Sequence, residues 1–298
     1  MSGAPLVSVV TCFLNAGPFL EDTIESVLAQ THDRWELLLV DDGSNDGSTE
    51  IARRYASQLP QKIRYFEHPG HGNSGCSASR NLGLRHSRGE YVAVLDADDV
   101  FLPQALEKRV AVLRSRPEIG MVYGPALLWH GWTGDSNDQW RDREERLHVA
   151  PGTVFSPLAY SAYLLDYDAD IPSPCTLLIR RDVIDQAGGF DDSFRDLFDD
   201  QVLYMKISLK TAVLVSGDCD SKYRQHAGST CAVADRAGRT DAARLVYLDW
   251  VKRYLGEQRI QDARVWKAFK AIHYRFHRPR LFRLSRIARR LANQLRAP

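Results

Sequence analysis

Short apolar runs rich in β-branched residues alternate with amphipathic stretches through residues 6–123 of the chain. Each run predicts a buried strand, and apolar residues at helical spacing, such as Leu20, Ile24 and Val27, predict a helix between strands. The predicted strands cover residues 6–13, 35–40, 63–66, 91–95 and 120–123. This alternating order is typical of βαβ units and predicts an α/β fold around a mostly parallel sheet.

Acidic residues follow two of the predicted strands. Asp41 and Asp42 end the second strand, and Asp96, Asp98 and Asp99 end the fourth. The carboxyl ends of parallel strands meet at the edge where open α/β sheets bind ligands. Carboxylate oxygens at that edge suit a hard divalent cation, which typically bridges a protein to substrate phosphates. The alternative is that both clusters only cap the helices that follow them.

A glycine-rich segment at residues 70–75, GHGNSG, matches the GxGxxG pattern of dinucleotide-binding folds. In those folds the pattern occupies the first turn between strand and helix. Here it follows the third predicted strand, and the first turn, at residues 14–18, lacks it. A dinucleotide-binding fold is therefore disfavoured, whereas a flexible glycine loop over a nucleotide or an acceptor stays open.

Charge is distributed unevenly along a chain that is nearly neutral as a whole. Its 298 residues contain 39 Lys and Arg against 38 Asp and Glu, so the total gives no reason to expect a nucleic acid partner. Residues 259–298 hold twelve of the basic residues and one acid, a net charge of +11. Apolar residues at helical spacing in 281–295 predict an amphipathic basic helix there. Residues 278–296 would then contact an anionic membrane surface, or pack against the protein.

The cysteines and the N-terminus indicate a cytoplasmic protein. The five cysteines are odd in number and none are spaced as CxxC, so we expect free thiols rather than disulfides or a zinc site. No basic stretch precedes the first apolar run, and no window approaches the roughly 20 apolar residues of a membrane span. We therefore expect neither export nor a transmembrane anchor, and at most peripheral contact with the inner face of a membrane.

Five motifs, in order along the chain, resemble those of glycosyltransferase family 2. They are PLVSVVTCFLNAGPFLEDTIESVLAQTHDRWELLLVDDGSNDGS, SRNLGLRHSRGEYVAVLDADD, LIRRDVIDQAGGFDDSF, LFDDQVLYMKI and YRQHAGS. The resemblance covers about residues 5–231 and implies the A-type glycosyltransferase fold, a Rossmann-like, mostly parallel sheet flanked by helices. It implies a catalytic domain at 1–231, divided into a nucleotide-sugar-binding half (1–124) and an acceptor-side half (125–231). A basic helical extension at 232–298 would follow.

The resemblance also implies which residues bind the nucleotide sugar. Asp42, with Asp41 beside it, would hold the nucleotide base, a role that suits a carboxylate because it can accept a base N–H. Thr11 and Phe13 would belong to the same donor site. Arg80 matches the arginine that approaches the nucleotide or its diphosphate, where a guanidinium suits the negative charge. The alternative for Arg80 is a place on a solvated helix face.

A metal site is implied by three further residues. Asp96, Ala97 and Asp98 stand where the family has its DxD motif, so Asp96 would contact the ribose or the metal and Asp98 would ligate the metal. His226 matches a histidine near the metal or diphosphate, although a lone histidine is more often structural. Asp99 would support the site or cap a helix. Oxygen ligands suit either Mg²⁺ or Mn²⁺, which would neutralise the charge of the departing diphosphate.

The catalytic acids are expected at the start of a helix. Asp199 and Asp200 match the acid pair of the family, and the resemblance implies that Asp200 is the general base that takes a proton from the acceptor hydroxyl. The sequence departs from the family in having Asp199 where relatives have Glu, and Leu14 where many have an aromatic residue. The alternative is that both acids only cap the helix.

Three tryptophans in the second half are candidates for acceptor binding. Trp129, Trp132 and Trp140 lie beside a polar stretch, and indole rings stack well on sugars. They would form an acceptor loop, or else pack a hairpin against the core.

These features predict an inverting, metal-dependent glycosyltransferase. It would move a sugar from a nucleotide-sugar donor, expected to be a UDP-sugar, to a hydroxyl of a glycan or lipid-linked glycan. A nucleotidyltransferase of similar sheet topology and a non-catalytic glycan-binding module are the alternatives.

Overall fold

A central eight-stranded sheet organises the protein in the computed structural model, which describes residues 3–166 and 168–278. The strands are β1 (Val7–Phe13), β2 (Trp35–Asp41), β3 (Ile63–Glu67), β4 (Tyr91–Val94), β5 (Val100–Phe101), β6 (Ile119–Tyr123), β7 (Leu127–Trp129), β8 (Arg143–Glu144), β9 (Val154–Phe155), β10 (Leu177–Arg180), β11 (Ala212–Val215) and β12 (Ser221–Arg224). The order across the central sheet is β3-β2-β1-β4-β10-β6-β11-β9, and β5-β12-β7-β8 form a smaller second sheet.

Helices cover both faces of the central sheet. They are α1 (Gly17–Leu28), α2 (Ser48–Gln58), α3 (Cys76–His86), α4 (Ala105–Ser115), α5 (Ser136–Gln139), α6 (Ala159–Leu164), α7 (Arg181–Ala187), α8 (Asp199–Ser208), α9 (Thr230–Arg236), α10 (Thr240–Glu257) and α11 (Ala263–His277). Alternate residues of a strand enter different cores: Leu37 and Leu39 join one core, and Leu38 joins the other. Both faces of β2 are therefore buried, which explains its unbroken apolar sequence.

The first four strands form the parallel half that the sequence predicts. β2 and β4 both pair in parallel with β1, and β3 pairs in parallel with β2. The five strands expected from the sequence correspond to β1, β2, β3, β4 and β6, and their ends differ from the prediction by at most one residue. Because β1, β2 and β4 run in the same direction, the residues that follow them meet at one edge of the sheet.

The second half of the central sheet is mixed. β10 is antiparallel to both of its neighbours, β4 and β6, whereas β11 is parallel to β6. In the small sheet, β12 is parallel to β7 and antiparallel to β5. This pairing sets Arg224 opposite Trp129 and brings the segment after β12 beside the end of β4.

The C-terminal helices pack against the body of the protein. Tyr247 and Trp250 of α10 and Phe269 of α11 belong to the same core as Val202 and Met205 of α8. Up to residue 278, the predicted extension is therefore part of the packed structure. The predicted basic helix at 281–295 lies outside the described residues. None of the helices within the described ranges combines the length and apolar character that crossing a bilayer requires.

Candidate active site

A cleft of about 1110 Å³ opens at the edge where β1, β2 and β4 end. Phe13 at the end of β1, Asp42 after β2, and Asp96 and Asp98 after β4 line one wall, which we call the N-terminal wall. Other lining residues come from α8, α9 and α10 and from the loops around them, and we call this group the C-terminal wall. The cleft therefore contains both acid clusters that the sequence places at strand ends.

Asp41 and Asp42 have different environments although they are neighbours. Asp42 lines the cleft and accepts hydrogen bonds from the backbone N–H of Ser74 (2.7 Å) and from the hydroxyl of Ser79 (3.1 Å). Asp41 is fully buried and accepts hydrogen bonds from the turn after β2 and from the Thr49 hydroxyl (2.5 Å). Asp42 thus lines the cleft, whereas Asp41 holds the turn together.

The glycine-rich segment 70–75 is attached to this turn. The backbone N–H of Gly75 lies 3.1 Å from both carboxylate oxygens of Asp42. Gly43 has a φ of +89°, and a Cβ there would lie 2.9 Å from the carbonyl oxygen of His71, so the close approach of the two loops requires glycine. The segment therefore forms a fixed edge of the cleft beside Asp42.

The two β1 residues expected in the donor site are both buried. Phe13 is 3% exposed and lines the cleft. Thr11 lies two residues earlier, is fully buried, and has no hydrogen-bond partner for its hydroxyl among the described residues. Thr11 is absent from the described lining of the cleft. Leu14, by contrast, lines the cleft and is 46% exposed.

Arg80 connects the two walls. Its guanidinium is 3% exposed, pairs with Asp96 of the N-terminal wall, and pairs with Asp199 of the C-terminal wall. The guanidinium carbon also lies 5.2 Å from the centre of the Phe190 ring. Arg80 is therefore no solvated helix residue, because burial of its charge requires the two carboxylates.

Asp98 and His226 meet at the base of the N-terminal wall. Nε2 of His226 lies 2.9 Å from a carboxylate oxygen of Asp98. The His226 ring packs against Phe19 at 4.6 Å between ring centres. Asp99 faces away from this group: it is fully buried and accepts a hydrogen bond from the backbone N–H of Arg224 (2.9 Å). Asp99 therefore ties β12 to the end of β4.

Asp96, Asp98 and His226 suit a divalent cation by donor chemistry and by charge, and of these three, Asp98 and His226 already have their ligand atoms in contact. Two carboxylates and an imidazole on one wall are an oxygen-rich ligand set of the kind that Mg²⁺ and Mn²⁺ prefer. Burial, and then the charge of Asp98, raise the pKa of Asp96 despite its ion pair with Arg80. The negative charge of Asp96 and Asp98 therefore exceeds the positive charge of the Arg80 guanidinium. A bound cation would stabilise this wall.

Asp199 and Asp200, the acid pair of the C-terminal wall, have different partners. Asp199 forms the ion pair with Arg80. Asp200 accepts a hydrogen bond from the backbone N–H of Gln201 (2.7 Å) and lines the cleft. Burial and the charge of Asp199 raise the pKa of Asp200 to about 7. A carboxylate with this pKa exchanges protons at neutral pH, as a general base must.

The three tryptophans lie beside the cleft rather than in its described lining. Trp129 and Trp132 pack on the Arg224 guanidinium, whose carbon lies 4.4 and 5.4 Å from their ring centres. The indole N–H of Trp132 donates to the carbonyl oxygen of Gln225 (2.9 Å). Trp140 is 77% exposed. Trp129 and Trp132 thus pack the small sheet, and acceptor binding by the tryptophans stays a prediction.

Several residues that line the cleft cannot be recognised as site residues from the sequence. Glu145, from the loop after β8, lines the cleft, and burial raises its pKa. Thr240 and Arg244 of α10 line the C-terminal wall although they lie beyond the family-like motifs. Nothing in their spacing or composition marks them, because only the packing of α10 brings them to the cleft.

The cysteines of the cleft are free thiols. All five cysteines are unpaired, as the sequence predicts. The sulfurs of Cys12 and Cys76 lie 3.1 Å apart at the cleft, one at the end of β1 and the other at the start of α3.

Known proteins with similar sequences are glycosyltransferases. The family described as Glycosyl transferase family 2 matches residues 8–186. TuaG of Bacillus subtilis (strain 168), named for teichuronic acid biosynthesis, is 41% identical over 114 residues, which are 38% of this chain and 43% of TuaG. EpsE of the same strain is 40% identical over 128 residues, which are 43% of this chain and 45% of EpsE. The chain therefore matches less than half the length of these relatives.

Solved structures show the same fold. A mannosyltransferase from Pyrobaculum calidifontis, solved with GDP-Man and Mn²⁺, has a TM-score of 0.62 and 20% identity, and the match covers 100% of this chain and 77% of that one. Residues 1–349 of TarS from S. aureus have a TM-score of 0.63 and 18% identity, covering 93% of this chain and 74% of that one. At this identity the likeness establishes the fold, the A-type glycosyltransferase fold expected from the sequence. The chain belongs to glycosyltransferase family 2.

Proposed function

We propose that the protein is an inverting, metal-dependent glycosyltransferase that moves a sugar from a nucleotide-sugar donor to a hydroxyl of a glycan or lipid-linked glycan. The observation that carries this proposal is that two acidic groups, one from each wall, line a single cleft. Asp96 and Asp98 line the N-terminal wall, and Asp200 lines the C-terminal wall. A donor bound between the walls would have its diphosphate at one side and its anomeric carbon open to attack from the other.

The N-terminal wall supplies the donor site in this proposal. Asp42 would accept an N–H of the base, and Phe13 and Leu14 would provide apolar contact for it. Asp96, Asp98 and His226 would hold Mg²⁺ or Mn²⁺, which when bound neutralises the charge of the leaving diphosphate.

The C-terminal wall supplies the base. Asp200 takes the proton of the acceptor hydroxyl as that oxygen attacks the anomeric carbon. The bond from the anomeric carbon to the diphosphate oxygen breaks in the same step, and the electron pair leaves with the nucleoside diphosphate. A single displacement of this kind inverts the anomeric configuration. Asp199 keeps its ion pair with Arg80 and thereby keeps a negative charge beside Asp200, which favours proton uptake by Asp200.

The donor nucleotide we propose is UDP, and structural neighbours define the panel that tests it. TarS was solved with UDP-GlcNAc, and the Pyrobaculum enzyme with GDP-Man. Release of nucleoside diphosphate should be measured for UDP-sugars and GDP-sugars, with Mg²⁺, with Mn²⁺ and with EDTA. We expect release from a UDP-sugar that EDTA abolishes. Release of pyrophosphate instead would indicate a nucleotidyltransferase, and release unaffected by EDTA would contradict the metal requirement.

The acceptor and the location of the enzyme belong to the same proposal. We propose a cytoplasmic enzyme whose basic segment, residues 278–296, contacts the anionic inner face of a membrane and so brings the cleft to a lipid-linked acceptor. Sedimentation with phosphatidylglycerol vesicles and with phosphatidylcholine vesicles tests this contact. Binding to the anionic vesicles that is lost at high salt is expected, and equal binding to both kinds of vesicle contradicts it.

A further inference from the structure

Phe198 has an unusual backbone conformation directly before the acid pair. Its φ is 65° and its ψ is 8°, in the left-handed region that residues with a Cβ rarely adopt. This conformation turns the chain into α8, so it sets where Asp199 and Asp200 begin. A bulky residue keeps such a conformation only where its surroundings hold it, and conformations of this kind cluster at functional sites. Residues that contact Phe198 therefore influence the positions of Asp199 and Asp200 indirectly.

Helix α10 makes these contacts. The Phe198 ring is stacked on the ring of Tyr247, with 5.3 Å between centres and 13° between planes. The guanidinium carbon of Arg244 lies 5.0 Å from the centre of the Phe198 ring, and 5.1 Å from the ring of Phe276 in α11. Phe198 is 7% exposed. Two side chains one helical turn apart thus enclose the Phe198 ring from α10.

The same contacts lie close to Asp200. Arg244 lines the cleft with Asp200, whereas Tyr247 lies behind Phe198 and is absent from the described lining. Burial, and then the charge of Asp200, raise the pKa of Tyr247, which places that ring within electrostatic reach of the base. The backbone N–H of Val202 donates to the carbonyl oxygen of Phe198 (3.0 Å), so the first turn of α8 is anchored at Phe198.

We propose that Arg244 and Tyr247 of α10 are positioning residues, which hold Phe198 in its left-handed conformation and thereby aim Asp200 across the cleft. This inference rests on the proposed function, in which Asp200 is the base. In this proposal α10 helps to form the active site, although α10 lies outside the family match at residues 8–186. We call the contacts of Arg244 and Tyr247 with Phe198 the clamp. Loss of the clamp displaces Asp200 without removing it.

Tyr247 is the residue to change, because it does not line the cleft and its loss removes no direct contact with a substrate. The experiment compares Tyr247→Leu with Tyr254→Leu. Tyr254 lies on the same helix and stacks on Trp250 in a similar way, with 4.7 Å between centres and 13° between planes, but it does not contact Phe198. Both variants lose an aromatic stack, so a general effect on α10 appears in both.

We expect Tyr247→Leu to lower kcat about tenfold and to leave the Kd for the nucleoside diphosphate unchanged, because the donor-binding residues lie on the other wall. Tyr254→Leu should keep the kcat of the unmodified enzyme. Tyr247→Phe keeps the ring and should restore most of kcat. Equal losses of kcat in Tyr247→Leu and Tyr254→Leu, or a parallel loss of donor affinity in Tyr247→Leu, would overturn the proposal.

A glycine at position 198 tests whether the effect passes through Phe198. Glycine adopts a positive φ without steric cost, and Phe198→Gly removes the ring that the clamp holds. In the Phe198→Gly background, Tyr247→Leu should therefore have no further effect on kcat. Additive losses in the double variant would show that Tyr247 acts on the site by another route.

Hydrogen exchange separates failure of the clamp from failure of the proposed function. If the unmodified protein transfers no sugar from any donor in the panel, the proposed function fails, but the clamp is still measurable. Exchange of backbone amides in peptides that cover residues 198–203 should be about tenfold faster in Tyr247→Leu than in the unmodified protein, and unchanged in Tyr254→Leu. Equal exchange in all three proteins would contradict the clamp, whatever the activity.

Discussion

The two walls of the cleft are built in different ways. The acids of the N-terminal wall follow strands β2 and β4, so pairing of both strands with β1 brings Asp42 and Asp98 to one edge of the sheet. The acids of the C-terminal wall depend on contacts distant in sequence: Asp199 pairs with Arg80, and Phe198 stacks on Tyr247. In the proposed function, strand ends therefore bring the donor-site acids to one edge of the sheet, whereas tertiary packing alone places the proposed base.

Removal of the base gives the largest expected effect and tests that division. We expect Asp200→Asn to lower kcat by about 10²–10⁴, because the amide cannot take the acceptor proton. The Kd for the nucleoside diphosphate should stay the same, since Asp42 and the metal ligands lie on the other wall. Steady-state kinetics and calorimetry on one preparation measure both quantities. A variant that keeps more than a tenth of kcat would show that another group is the base.

Loss of the residue that joins the walls should mainly affect stability. Arg80→Met leaves the buried carboxylate of Asp199 and the partly buried carboxylate of Asp96 without their cation, so we expect the free energy of unfolding to fall by about 3–5 kcal/mol. Urea denaturation measures it. Arg195→Met is the control, because Arg195 is exposed and bonds only to Asn73 by its side chain among the described residues. It should change stability by less than about 0.5 kcal/mol. Equal effects would contradict the bridging role.

Changes at the proposed metal ligands should weaken binding of the nucleoside diphosphate, whereas Asp200→Asn should lower kcat and leave that binding unchanged. Asp98→Ala removes a proposed metal ligand and the partner of His226, so we expect nucleoside diphosphate in the presence of Mn²⁺ to bind about 100-fold more weakly. Asp22→Asn is the control: Asp22 is 59% exposed on the surface and pairs with Arg224, close to His226. Calorimetric titration measures the affinity of both variants for nucleoside diphosphate. Unchanged affinity in Asp98→Ala would contradict a metal site on the N-terminal wall.

The pH dependence of kcat reports on the C-terminal wall. The pKa of Asp200 is raised to about 7, and in the proposed mechanism the ionised form is the active base, so kcat should rise up to tenfold per pH unit below 7 and level off above it. Asp199→Asn removes a neighbouring negative charge and frees Arg80, and both changes lower the pKa of Asp200. The rise should therefore shift to lower pH in that variant. A shift to higher pH would contradict the assigned charges.

The same pKa predicts a small gain in stability when the base is removed. The folded pKa of Asp200 lies above its unfolded value near 4, so ionisation destabilises the fold, and this cost grows as pH rises from about 4 to 7. Asp200→Asn should therefore be more stable than the unmodified protein by about 1 kcal/mol or more at pH 8, and the difference should shrink toward pH 5. Thermal unfolding at the two pH values measures it, and lower stability at pH 8 contradicts the prediction.

Local patterns account for what the sequence predicts correctly. Strands β1, β2 and β4 are recognisable because both of their faces are buried, and Asp42, Asp96 and Asp98 follow the ends of β2 and β4. The antiparallel insertion of β10 is not predictable in this way, since its apolar run does not encode a direction.

The C-terminal wall shows the limit of prediction from local patterns. Asp199 and Asp200 match a family motif, but the ion-pair partner of Asp199 is Arg80, more than a hundred residues earlier in the chain. Arg244 and Glu145 reach the cleft only through packing of separate elements, so their surrounding sequence carries no signal. Long-range contacts determine this wall, and a single sequence does not display them.

The stereochemistry of the product tests the central claim most directly. If the acceptor attacks from the side of Asp200 while the diphosphate leaves at the N-terminal wall, one displacement transfers the sugar. Proton NMR of the first product formed from an α-linked nucleotide sugar gives the anomeric configuration through its coupling constant. We predict a β-linked product, the result of inversion. An α-linked product would contradict a single displacement with Asp200 as the base.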